Sequence, residues 1–395
     1  MKEMVCAALR MHSYHRPLCS RSLLMMTKLE LLKYVSSKIN LCSNIYLLFI
    51  FIKFAACTSS NEIEKIFNAA VSKNFSGVIL IASEGKIIFN GVNGKRDFEN
   101  NIPLSSSDIF ELASISKQFT AMMIMMCKEK GLLSYDDLVE KYLDLPYKGI
   151  TIRNLLTHTS GLPDYQKIMD ENWDKSKVAG NKEILEYLNE YEPKILFLPG
   201  EEYKYSNTGY VLLGSIVEKV TDKDFVEISK KWIFEPLKME NTSIRSNEEK
   251  KELNNLAFGH KKDSLDKFVN ANKFLSSDYT VWLGNRKGPG RVSSNVFDLL
   301  LWDQALYKEK LTSKKTLLEA FTPYTLNNKK ISYYGFGWRL NNDPKNKIVR
   351  HSGSNPGYKT RIVRLLDKRK TIIILSNNDF LLDELEQELT TILSI

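Results

Sequence analysis

The chain has 395 residues, 43% of them hydrophobic and 26% charged, which excludes a disordered polymer and supplies apolar side chains for one large core or two smaller ones. Its formal net charge of +9 would suit nucleic acid or an acidic membrane, but the distribution removes that reading: up to Cys57, eight Lys or Arg stand against two Glu, a net +6 that leaves +3 for the body. In the body the signs alternate, as in Glu248-Glu249-Lys250-Lys251-Glu252, the pattern of a solvated helix face, and no nucleic-acid partner is expected.

The first 57 residues read as a leader. Ile45 to Ile52 is an apolar run preceded by the basic stretch Lys28 to Lys38 and followed by Ala55-Ala56-Cys57. The run is short for a spanning helix, which needs ~20 residues, and suits the apolar region of a signal peptide. Ala55-Ala56-Cys57 resembles the lipobox of bacterial lipoproteins, in which Cys57 would be acylated; Phe54 and Lys53 depart from that pattern, so cleavage nearby or an uncleaved tether stays open. Export to the periplasm or cell envelope is expected, with possible membrane anchoring through the leader. A start at Met25 or Met26 would give a leader of more usual length. Four of the five cysteines lie in the leader, so the body, residues 58–395, has no internal disulfide, and Cys127 sits in an apolar helical pattern as core. His158, His260 and His351 lack metal-ligand spacing, and no metal or organic cofactor is implied.

The pattern predicts a helix over Asn61 to Lys73, with Ile63, Ile66, Phe67 and Ala70 on one face. Val78 to Ala82 and Lys86 to Phe89 read as strands joined by Ser83-Glu84-Gly85. Near the end, Lys347 to His351, Thr360 to Leu366 and Thr371 to Leu375 read as strands, with a turn at Asp367-Lys368-Arg369 and a helix over Asp379 to Leu393. The fold expected is α/β, of the α+β kind. Strands from about 75–96 and 345–376 share one antiparallel sheet flanked by the two terminal helices, with a large, mostly helical insertion over about 110–340. The cleft between sheet and insertion is the default site.

Three elements carry chemistry. Ser114 and Lys117 stand three apart where Phe110 to Phe119 leads into an apolar helix, so hydroxyl and amine share a face. To serve as a base the lysine must be neutral, which from a reference pKa of about 10.4 requires burial or a nearby cation. The spacing alone is weak, since Ser83 to Lys86 and Ser264 to Lys267 repeat it; only Ser114 opens a long apolar helix. Tyr205 and Asn207, two apart after Leu198-Pro199-Gly200, offer a phenol for proton relay and an amide for substrate, or else a simple turn. His351-Ser352-Gly353-Ser354 closes a strand where glycine lets a substrate approach the backbone, although His351 could equally be a surface histidine.

In this order, Ala113 to Ala121, Leu155 to Pro163, Tyr205 to Tyr210 and His351 to Gly353 resemble the beta-lactamase-related serine hydrolases: class C beta-lactamases, penicillin-binding proteins, D-aminopeptidases and esterases. The resemblance implies a beta-lactamase/transpeptidase-like fold, Ser114 as acylated nucleophile, Lys117 as base and Tyr205 as proton relay. It further implies Asn207 as a substrate contact, His351 to Gly353 as the strand beside the substrate, and an oxyanion hole from the backbone N–H groups of Ser114 and Ser354. His158 reads as structural.

Two departures bear on substrate. His351-Ser352-Gly353 stands where beta-lactamases carry Lys-Thr-Gly, so a permanent cation for a substrate carboxylate is missing. Arg291 stands where the family has a small residue, and either supplies that cation or faces solvent. No dedicated glutamate for deacylation is identifiable, which leaves Tyr205 to activate water. The expected substrate is a small molecule or peptide with an ester or amide carbonyl, as for an esterase or D-amino-acid peptidase rather than a dedicated beta-lactamase. A peptidoglycan D,D-carboxypeptidase, and a sensor that keeps its acyl group, are the alternatives.

Overall fold

The computed structural model describes residues 61–395, with residues 62–395 forming one compact unit. The leader expectations, Cys57 and the start at Met25 or Met26 among them, lie outside the described residues. Among those described, no helix is long and apolar enough to cross a membrane.

Six antiparallel strands form the main sheet: β1 (Gly77–Ser83), β2 (Lys86–Asn93), β3 (Arg339–Leu340), β4 (Ile348–Asn355), β5 (Tyr358–Leu365) and β6 (Lys370–Ser376), in spatial order β3-β4-β5-β6-β1-β2. The β1–β2 turn is tight because Glu84 and Gly85 both take positive φ, 51° and 79°, the twist a two-residue hairpin needs. β4 runs four residues past the strand read from sequence, through Ser352 to Asn355, because it keeps pairing with β5 to the Pro356-Gly357 turn.

Both faces of the sheet are covered, so β1 is an unbroken apolar run with two destinations. Ile79 and Ile81 join Val363, Leu365, Ile372 and Ile374 under the opening helix, which runs to residue 72, and under the C-terminal helix through Leu385, Leu389 and Leu393. Val78, Leu80 and Ala82 face the insertion, with Ile362, Ile373 and Leu375. The terminal helices thus cover one face, as the sequence pattern implies, although the last begins at Asp383 and not at Asp379.

The insertion carries the site on α1 (Ser116–Glu129), α2 (Ile152–Leu156), α3 (Tyr165–Asn172) and α4 (Asn207–Thr221). It is less purely helical than the pattern suggests, because a small sheet of Phe110–Glu111, Val292–Ser294 and Ser243–Ile244 ties its distant parts together. Of α1, Ser116 through Cys127 are all buried. Burial pushes the Cys127 thiol up to about 12, as befits a core residue.

Candidate active site

Ser114 lies in a single 3-10 turn, Ala113–Ile115, that feeds directly into α1. Ala113 is held at φ 49°, a left-handed conformation uncommon for alanine, so the turn before the nucleophile is imposed by its surroundings. Those surroundings are specific. The Leu112 carbonyl accepts the Thr360 hydroxyl at 3.0 Å, the Ser116 hydroxyl accepts the Val292 N–H at 3.1 Å, and Thr120 donates to the Gly288 carbonyl at 2.7 Å. The segment 288–292 is thereby fastened along α1.

Lys117 is fully buried, with Nζ 3.0 Å from Ser114 Oγ, 2.9 Å from Asn207 Oδ1 and 2.9 Å from the Pro289 carbonyl. This set suits a neutral amine: two N–H groups for the two carbonyl oxygens, and a lone pair for the Ser114 O–H. No carboxylate is among its partners. Burial, and then the Arg286 guanidinium, hold its pKa well below the ordinary lysine range. Neither decoy shares such a setting: Ser83 and Lys86 pair across the end of the β1–β2 hairpin, and Ser264 to Lys267 form the loop of another hairpin.

Tyr205 and Asn207 flank Ser206, which caps α4 by accepting the Gly209 N–H at 3.1 Å. The Ser206 N–H donates to Nδ1 of His158 at 3.1 Å. His158 is wholly buried, sits at φ 57° after α2, and is packed among Tyr203, Tyr205, Tyr210 and Tyr334. Burial keeps its imidazole neutral, so it is a fixed acceptor that sets the Tyr205–Asn207 loop, the structural role read from its sequence context. The Tyr205 hydroxyl is buried and bonded to no described residue, with the Ser114 hydroxyl as its polar neighbour. Burial raises its pKa, so Tyr205 is a phenol, not a phenolate. Lys117 Nζ lies 4.8 Å from the centre of its ring.

β4 lies against the Ser114 turn. A Cβ on Gly353 would stand 2.1 Å from the Leu112 carbonyl oxygen and 2.2 Å from Thr360 Oγ1, so glycine is required here for backbone packing beside the nucleophile. Ser354, the next residue, is exposed and its hydroxyl accepts from Lys359 Nζ at 2.8 Å. His351 is not a surface histidine: it is 1% exposed, with Nε2 2.8 Å from the Tyr334 hydroxyl and Nδ1 2.8 Å from the Ser352 carbonyl. The carbonyl can only accept, so Nδ1 carries the proton and Tyr334 donates to Nε2. Burial pushes its pKa down to about 3. Its ring therefore braces β4, and the strand beyond it packs on the Ser114 turn at Gly353.

Arg291 fits neither of its two readings. It is buried, donates to the carbonyls of Thr280 and Arg245 and to Asn247 Oδ1, and lies close to the buried Glu111–Lys250 ion pair. An exposed cation beside the site is Arg339, whose guanidinium stands 5.7 Å from the Tyr205 ring centre and 5.8 Å from that of Tyr334. Sequence reasoning missed Arg339, Tyr334 and Arg286, since none lies in a recognisable motif.

The arrangement brings together a hydroxyl, a buried amine of lowered pKa, an un-ionised phenol and a flanking strand, the parts needed for nucleophilic attack with proton relay. Comparison with known proteins agrees. A sequence profile of the beta-lactamase family matches residues 63–395. The chain is 40% identical over 323 residues to penicillin-binding protein 4* of Bacillus subtilis (strain 168), covering 80% of this chain and 72% of that one. It is 27% identical over 331 residues to protein flp of Staphylococcus aureus (strain MRSA252), covering 81% of this chain and 63% of that relative's length. Its fold matches the octameric penicillin-binding protein homologue of Pyrococcus abyssi with a TM-score of 0.70 at 28% identity, over 81% of this chain and 74% of the other. D-amino acid amidase of Ochrobactrum anthropi SV3 shares the fold at a TM-score of 0.69 and 22% identity, over 85% and 98% of the two chains. The profile match and the relatedness to the Bacillus protein, laid over a serine and a lysine in contact beside Tyr205 and β4, make this chain a member of the beta-lactamase family of serine hydrolases.

Proposed function

We propose that the protein hydrolyses ester or amide bonds through an acyl-enzyme on Ser114. The observation that carries this reading is the amine of Lys117, buried without a carboxylate and in contact with the Ser114 hydroxyl. Ser114 Oγ attacks the carbonyl carbon as its proton passes to Lys117 Nζ. The leaving group takes a proton from the Tyr205 hydroxyl, which is restored from Lys117; water then attacks the acyl-enzyme as Lys117 receives its proton, and Lys117 returns that proton to Ser114 Oγ as the C–Oγ bond breaks and the acid is released. The raised pKa of Tyr205 favours Lys117 over Tyr205 as the acceptor from water. The backbone N–H groups of Ser114 and Ser354 are the proposed oxyanion donors, typically worth about 3 kcal/mol each. Asn207 uses its carbonyl oxygen on Lys117, which leaves its NH2 to meet the substrate.

The substrate class proposed is an ester or a D-amino-acid peptide or amide. A peptidoglycan D,D-carboxypeptidase is a second reading, favoured by the name of the 40% identical relative. Work at the cell envelope is proposed from the leader, as export signal or anchor. Labelling with a fluorophosphonate and with penicillin, read by mass spectrometry, tests the nucleophile, with Ser114→Ala and Lys117→Ala as controls. A panel of short-chain esters and D-alanyl peptides separates the readings. Equal hydrolysis by Ser114→Ala would remove Ser114 from the mechanism, and labelling without turnover would point to a sensor.

A further inference from the structure

Arg286, like Arg339, is a charged group beside the site that the reaction above does not use, but it is buried. It is 9% exposed, and Nη1 donates to the Tyr165 hydroxyl at 2.5 Å. Nε has no hydrogen-bond partner, and no described carboxylate lies within 4.0 Å of the guanidinium. The negative charges in its field are already engaged: Asp164 caps α3 through the Gln166 N–H, and Glu111 is paired with Lys250. A buried guanidinium without a counter-ion is costly, and a ligand carboxylate is the usual group to satisfy it.

Gly290, itself buried, leaves room for a side chain beside Arg286. A Cβ built on Gly290 would meet only two atoms within 4 Å beyond its chain neighbours, Arg286 Nη2 at 3.5 Å and the Ala113 carbonyl oxygen at 4.0 Å. Ala113 precedes the nucleophile, and Pro289, next to Gly290, holds Lys117 by its carbonyl. This space is therefore bounded by the nucleophile turn on one side and a guanidinium on the other. The leaving group departs toward its proton donor, Tyr205, which does not border the space. In the proposed reaction this leaves the Gly290 side to the acyl part.

We infer that Arg286 is a specificity residue that receives a carboxylate carried by the acyl part of the substrate, seated over Gly290. This rests on the reading of Ser114 as nucleophile, and its test is independent of turnover. In Ser114→Ala protein, binding of monomethyl glutarate is compared with that of dimethyl glutarate by calorimetry and thermal shift. The monoester is expected to bind at least about tenfold more tightly. Arg286→Gln in the same background removes the difference, and Arg286→Lys keeps part of it. Gly290→Ala, which leaves the charge in place and fills the space, weakens the monoester selectively and stands in should Arg286→Gln not fold. In protein with Ser114 intact, the kcat/KM ratio of p-nitrophenyl esters of glutaric and valeric acid falls toward one in Arg286→Gln. Equal binding of the two esters, or a preference that survives both Arg286→Gln and Gly290→Ala, overturns the inference. So does an equal slowing of both p-nitrophenyl esters with a shifted pH profile, which would mean that Arg286 acts only on Lys117. Hydrolysis by Ser114→Ala would remove the reading of the nucleophile and leave the binding result standing.

Discussion

The Lys117 amine stands 3.0 Å from the hydroxyl oxygen of Ser114 while its other two contacts are carbonyl oxygens, of Asn207 and Pro289. A protonated lysine would bring three N–H groups to this site and leave the Ser114 hydroxyl with nowhere to send its proton. Activity should therefore rise with pH through the folded-state pKa of Lys117, well below that of an ordinary lysine, and a pH profile of kcat/KM on a neutral ester measures it. Lys117→Met should cost about a thousandfold or more in kcat.

The same residue makes a stability prediction. Below the ordinary lysine value near 10.4, the unfolded chain binds a proton at Lys117 that the folded chain refuses, so stability rises with pH across that interval, by up to about 1.4 kcal/mol per unit. Lys117→Met removes this slope and melts higher than the parent at pH 7. Thermal denaturation of both proteins from pH 6 to 9 provides the comparison.

His351 behaves likewise in a lower window. With its folded value near 3 and an unfolded value near 6.5, it contributes stability in full above pH 6.5 that is lost as the pH falls toward 3. His351→Asn should flatten the denaturation profile between those limits. His351→Lys places an ammonium against the Tyr334 hydroxyl in a buried site, and should destabilise by about 3 kcal/mol without raising beta-lactam affinity. A gain in penicillin acylation by that variant would overturn the bracing role assigned to His351.

Gly353→Ala drives a methyl group into the Leu112 carbonyl and the Thr360 hydroxyl. The expected cost is about 1–3 kcal/mol, as for overpacking in general. The expected loss of kcat/KM is larger, on the order of a hundredfold, because β4 must retreat from Ser114. Urea denaturation and ester hydrolysis on the same preparation separate the two.

Arg339→Ala should leave neutral esters little changed and slow substrates whose leaving group bears a carboxylate, by about tenfold. Equal effects on both would remove Arg339 from substrate recognition.

What the sequence disclosed and withheld follows from the range of the interactions involved. The β1–β2 hairpin was legible because Glu84-Gly85 is a local signal, and the shared sheet because matching apolar runs occur at both ends of the chain. Ser114 and Lys117 were legible because three residues on one helical face form a fixed distance. The environment of Lys117 was not, since Pro289 is 172 residues away in the chain and Arg286 nearly as far. His351 stayed open in its own segment between a strand residue beside the substrate and a surface histidine, and only Tyr334, brought alongside by β3, makes it a buried brace. Arg291 could not be read either, because its acceptors lie on two other pieces of chain, Thr280 on one and Arg245 with Asn247 on the other.

The sheet order has a consequence for how the protein is made. β1 is bordered by β2, its immediate neighbour in the chain, and by β6, almost three hundred residues later. The nucleophile turn leans on Gly353 and Thr360, which are synthesised long after it. A nascent chain that has already extruded Ser114, Lys117 and Asn207 therefore has no surface on which to set them until β4 to β6 emerge. Such long-range pairing makes folding slow and late. A nascent or truncated chain that ends before Ile348 should display every motif of the nucleophile half and hydrolyse nothing.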